Sequence, residues 1–202
     1  MAAPGMGHDP RMPTTTDASA SPKAQRWNGF LDLVGSRHLA VAVLATITGF
    51  YYLLVAITNC TDTETNRRGV AAVLSMEQTI HSAATDWRGI GNETVALIAY
   101  ILIVGWEFLI AFVLLAAAIA WLRALRGRSA AAGTAAKLSS LGWTMAVLLF
   151  AGGFLTIGGE WFRMWANDDV NASSAALQNF LIAAVGLILV HLPRSGESGR
   201  IE

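Results

Sequence analysis

Four apolar runs of bilayer-spanning length decide what this chain can become. Leu39–Thr58, Leu138–Gly159 and Val170–Pro193 contain 20, 22 and 24 residues without an ionisable Asp, Glu, Lys or Arg, and Val95–Leu122 runs for 28 residues with Glu107 as its only charge. At a 1.5 Å rise per residue, about 20 apolar residues cross a hydrocarbon core. Only 14% of the residues are charged, against about 25% in an ordinary soluble domain, so too little polar sequence remains to wrap four buried helices in water. A membrane barrel would instead show ten-residue alternating segments, and none occurs. The expected fold is therefore all-α: a four-transmembrane-helix bundle with spans at about 39–58, 95–122, 138–159 and 175–192.

The flanking segments complete this layout. Residues 1–25 are rich in Pro, Ala, Ser and Thr and lack an apolar h-region, so they read as a disordered tail and not as a signal peptide. Over residues 26–38, Trp27, Phe30, Leu31 and Val34 recur at i, i+3, i+4 and i+7, which suits a short amphipathic helix lying on lipid headgroups. The 36-residue loop Asn59–Thr94 is long for a connector. Within it, Val70, Val73, Leu74 and Met76 predict a short helix capping one mouth of the bundle.

Lys and Arg divide ten to four between the two sets of extramembrane segments, the richer set being the N-terminal segment, the 123–137 loop and residues 193–202. By the positive-inside rule both termini are cytoplasmic and the loops 59–94 and 160–174 face outward. Trp121 and Trp143 then bracket the cytoplasmic side, with Trp87, Trp161 and Trp165 on the outer side, as an aromatic belt would. A net charge of zero, 14 basic against 14 acidic residues, gives no footprint for nucleic acid. The expected partners are the lipid bilayer and either a membrane-protein partner or a second copy. One cysteine, Cys60, builds neither an internal disulfide nor a thiolate metal site. No phosphate loop, nucleophile elbow or metal-ligand spacing is present, so no catalytic residue, metal site or cofactor is expected.

Glu107 is the most informative residue. It has 12 uncharged residues before it and 15 after, and a carboxyl at such depth costs on the order of a few kcal/mol. It must face the bundle interior and stay neutral unless a cation or a donor meets it. Two readings follow: a proton, cation or polar-ligand site, or a structural carboxyl that glues two helices by one hydrogen bond. In Gly158-Gly-Glu-Trp-Phe-Arg-Met-Trp165, helical spacing would pair Glu160 with Arg163 and Trp161 with Trp165. Together with Asn59 and Asp62 from the end of the first span, Glu107, Glu160, Trp161 and Arg163 form the candidate ligand-binding set, lining an outward-facing pocket. Gly152, Thr156 and Gly159 give the third span a smooth stripe for a close helix neighbour.

Asn59-x-Thr-Asp62, Val73-Leu-Ser-Met-Glu77, Trp87-Arg88, Trp106-Glu107 and Gly158-Gly-Glu-Trp-Phe-x-Met-Trp165 resemble the bacterial "predicted small integral membrane protein" family, a four-span domain of unknown function. The resemblance covers about residues 38 to 192, and this chain has Glu77 where the family carries Asp. It implies a single domain in the bacterial cytoplasmic membrane and assigns no activity. Two functions remain open: binding of a cation, proton or small polar or lipidic ligand in the outward pocket, or a non-catalytic accessory role in a larger membrane complex.

Overall fold

The computed structural model describes residues 22–127 and 130–193. Helix α1 (Pro22–Val34) forms a unit of its own. It begins before the expected residue 26, with proline at its first position, where a missing N–H costs nothing. Trp27 stacks on Phe30 across one turn. Arg37 and His38, expected in this interfacial helix, belong instead to the first turn of α2 (Arg37–Thr61). Ser36 separates the two by capping α2, its Oγ accepting from Leu39 N at 3.2 Å. Residues 1–21, most of the expected tail, and residues 194–202 lie outside the described residues.

After α2 come α3 (Thr63–Ser75), α4 (Glu93–Leu125), α5 (Ala130–Val147), a π-helical continuation Leu148–Trp161, and α6 (Ser173–His191). Four helices, α2, α4, α5 with its π segment, and α6, are long and apolar enough to cross a membrane. Each extends two to eight residues beyond the expected limits except at the end of α6, because Arg37 and Glu93 join first turns and residues 130–137, Lys137 among them, form the first two turns of α5. Successive spans run antiparallel. α4 is the centre of the bundle, packed against both α2 and α5, with α6 on α5 and the π segment.

Small residues let these helices approach. An added Cβ at Gly142 would lie 2.6 Å from a Leu114 methyl. At Gly186 it would fall on the indole of Trp143, whose Nε1 donates to Thr48 Oγ1 at 3.3 Å. Trp143, expected at an interface, is fully buried, and Trp121 is only 4% exposed with its Nε1 donating to Ser139 Oγ at 3.0 Å. Both tryptophans point inward because these glycine and serine positions open space for them. The outward faces carry Ile47, Leu54, Leu102, Phe112, Leu148 and Ile188, all exposed, as lipid-facing surface requires.

The two ends differ. One, here the basic end, carries Arg37, Arg123, Arg126 and Lys137. The other, the cap end, carries α3 and the loop to α4. α3 begins earlier than Val70 and packs on the first turns of α4. It stops at Met76, a left-handed residue (φ 57°) whose side chain is buried, and Ile90 N then donates to the Leu74 carbonyl at 2.7 Å. Gly89 is required there, since a Cβ would sit 2.7 Å from the Ser75 carbonyl oxygen.

Candidate functional site

The buried face of α4 repeats at i, i+4 and i+7: Tyr100, Val104, Glu107, Ile110, Ala111, Leu114 and Trp121. This register turns Glu107 inward, where it is 3% exposed. Asn59, two residues before the end of α2, donates from Nδ2 to Glu107 Oε2 at 2.6 Å. Tyr100 Oη donates to the backbone carbonyl of the same Asn59. Two helices are thus locked at one level by a side chain that gives to α4 and a carbonyl that accepts from it. Tyr52, 1% exposed, lies near enough to interact electrostatically with Glu107, and Tyr51 packs edge-on against it at 5.3 Å. On α6, Asn179 donates to Tyr51 Oη at 3.4 Å and to the Ala175 carbonyl at 2.9 Å, while its buried Oδ1 meets no described donor.

His38 at the start of α2 contacts Trp121, with ring centroids 5.1 Å apart, and Trp121 is about 21 Å along α4 from Glu107. Glu107 therefore lies at the level of the last turns of α2, while α4 continues beyond it toward the cap end for 14 residues.

Of the candidate residues, only Asn59 and Glu107 touch. Asp62 and Glu160 are exposed, and neither carboxylate has a partner among the described residues. The helical pairing of Glu160 with Arg163 does not form, because the π segment ends at Trp161 and Arg163 takes a left-handed conformation (φ 56°). Arg163 turns to the cap, donating from Nη1 to the Ile80 carbonyl at 2.9 Å and to Thr85 Oγ1 at 3.2 Å. Trp161 does not stack on Trp165. It meets Trp87 edge-to-face at 5.8 Å, and the Arg88 guanidinium lies over its ring at 4.6 Å. These contacts fasten the cap loop to the third span.

The stripe Gly152, Thr156 and Gly159 is also redistributed. Thr156 Oγ1 donates to the Ala151 carbonyl at 2.8 Å and Phe162 N to the Ile157 carbonyl at 3.0 Å, both five residues back. In this π register, positions four apart no longer stack on one face. Gly152 opens on empty space, while Gly159 is buried. Four glycines in the 14 residues 148–161 lower the cost of leaving α geometry.

Tyr52, Tyr100 and Asn179 were not singled out from sequence. Tyr100 could have been, because it precedes Glu107 by seven residues, two turns up the same face. Tyr52 and Asn179 carry no such signal, being single polar groups on other helices.

A family model described as "Predicted small integral membrane protein (DUF2165)" matches residues 37–193, the whole of the bundle. No curated protein and no solved structure matches the chain.

Proposed function

We propose, from the premise that this chain belongs to the family of predicted small integral membrane proteins, that it binds a small cation or a proton at the Glu107 carboxyl, reached from the cap end. One observation carries the reading: a nearly fully buried carboxyl whose described partner is a single neutral amide. An amide donor orients a carboxylate without neutralising it, and Oε1 has no described donor, so the group retains capacity for a positive ligand. Electrostatics supports entry from this end. Over the cap-end segments 59–94 and 160–170, eight acids face four arginines, a net formal charge of −4 that concentrates cations at the mouth. Asp62 and Glu160 belong to this field and attract without contacting the ligand at Glu107.

In this reading the protein resides in a bacterial cytoplasmic membrane with both termini inside and the cap outside, following the ten-to-four division of Lys and Arg. The binding is non-catalytic. The test is infrared difference spectroscopy of the full chain in liposomes, stepping either pH or sodium concentration and following the carboxyl stretch. A band that responds in wild type and is missing in Glu107→Gln supports the reading. Identical difference spectra for the two proteins would refute it. A second reading, an accessory subunit, is favoured by the open space beside Gly152 and the exposed Thr156 and Ile157 on the π segment, a shallow face suited to a partner helix. It predicts that Gly152→Leu releases a co-purifying membrane protein while the infrared response stays intact.

A further inference from the structure

At the basic end, the first turn of α2, the last turn of α6, the start of α5 and Trp121 of α4 enclose a cavity of about 290 Å³. Its wall carries three nitrogen-rich side chains, Arg37, His38 and His191, above an apolar floor that includes Val41 and Val190. We propose that this cavity binds a phosphate group, carried by a phospholipid headgroup or free in solution.

Charge, donors and position argue for it together. Every Asp and Glu between residues 35 and 193 falls within residues 62–107 or 160–169, so no described carboxylate of the bundle opposes the cations at this end. Arg37 spends Nη1 on the Leu192 carbonyl, which fixes the guanidinium between α2 and α6. No other described group takes the rest of its fork, the geometry that suits phosphate oxygens. His191 is held by Ser140, with Nε2 and Oγ 2.8 Å apart, leaving the other ring nitrogen for a ligand. The cavity also opens where the apolar faces of the spans end, the level at which lipid phosphates lie. A volume near 290 Å³ is at the small end for ligand sites, so it takes a headgroup while acyl chains remain outside.

The full chain in neutral detergent is titrated with short-chain phosphatidylglycerol, a short-chain diacylglycerol that lacks the phosphate, and inorganic phosphate, reading the melting temperature. Phosphatidylglycerol is expected to raise it saturably and the diacylglycerol to leave it unchanged. Arg37→Gln and His191→Gln should each weaken the apparent affinity about tenfold, as loss of a charge-assisted hydrogen bond predicts. Lys137→Gln, an exposed cation outside the cavity, should leave it unchanged. His191→Gln keeps the Arg37 tie to Leu192, so its result stands even if Arg37→Gln fails to fold. A saturable rise with inorganic phosphate, competed by phosphatidylglycerol, supports the site and identifies free phosphate as a source. A rise with phosphatidylglycerol alone supports it with lipid as the source. Equal protection by the diacylglycerol, no rise with either phosphatidylglycerol or phosphate, or equal weakening by Lys137→Gln, would overturn the proposal.

Discussion

Replacing Asn59 by leucine isolates the contact on which the candidate site is built. The substitution removes the donor at 2.6 Å and leaves Glu107, 3% exposed, without a described side-chain partner. A hydrogen bond to a charged group contributes about 1.5–3 kcal/mol in water-soluble proteins. Interhelical bonds in membranes average about 0.6 kcal/mol and reach about 1.7, because the unfolded helices also find partners. The burial of Glu107 places this pair toward the upper membrane value, and Asn59→Leu should cost about 1.5–2 kcal/mol. Tyr100 still donates to the backbone carbonyl of residue 59, so α2 and α4 keep their level and the loss is confined to the side chains. Glu107→Leu should cost less, because the half-buried Asn59 amide can turn to water. The double variant should be close to wild type, since removing both partners leaves no stranded charge. The double-mutant cycle, measured by reversible unfolding in mixed detergent, should therefore give a coupling of at least about 1.5–2 kcal/mol. Single-variant losses that add to within about 0.3 kcal/mol would show that the contact is energetically idle and refute this reasoning.

Gly186→Ala should destabilise the bundle by about 1–3 kcal/mol in the same assay, because its methyl overlaps the buried Trp143 ring, which Thr48 and the surrounding helices hold in place; an unchanged unfolding curve would mean that α6 slides freely on α5. Exposed Cys60 should react with a membrane-impermeant thiol reagent added outside whole cells, whereas a cysteine at Arg126→Cys in a Cys60→Ser background should not; the reverse pattern would invert the orientation. At the start of α3, hydrogen bonding from Arg67, its charge and then Arg68 hold the solvated Glu64 carboxyl below the ordinary carboxylate range. A depressed folded value means that this support is complete above the ordinary carboxylate pKa and is lost as pH falls through the folded one. Exchange protection of the α3 amides, corrected for intrinsic rate, should thus drop on acidification in wild type and respond less in Glu64→Gln.

The number of spans, their order and the inward turn of Glu107 were legible in the sequence, because hydropathy is a local quantity and a carboxyl in hydrocarbon has one affordable direction. Asn59 was also legible as a polar residue ending a span. Its pairing with Glu107 was not, since that depends on how far α4 slides past α2, a register fixed by Gly49 against Leu115 and Tyr100 on the Asn59 carbonyl. The same offset sets Glu107 beside the last turns of α2, although it lies near the middle of α4. Trp143 shows a second limit. An aromatic near the end of an apolar run reads as an interface anchor, and only the empty volume at Gly186 on a different helix makes it core. The π turns from Leu148 to Trp161 moved Thr156 off its expected stripe, and the left-handed Arg163 exchanged Glu160 for the cap loop as partner. Sequence determined which residues must leave water; the packing of one helix on another decided which of them meet, because contact across helices depends on register and volume that no single segment contains.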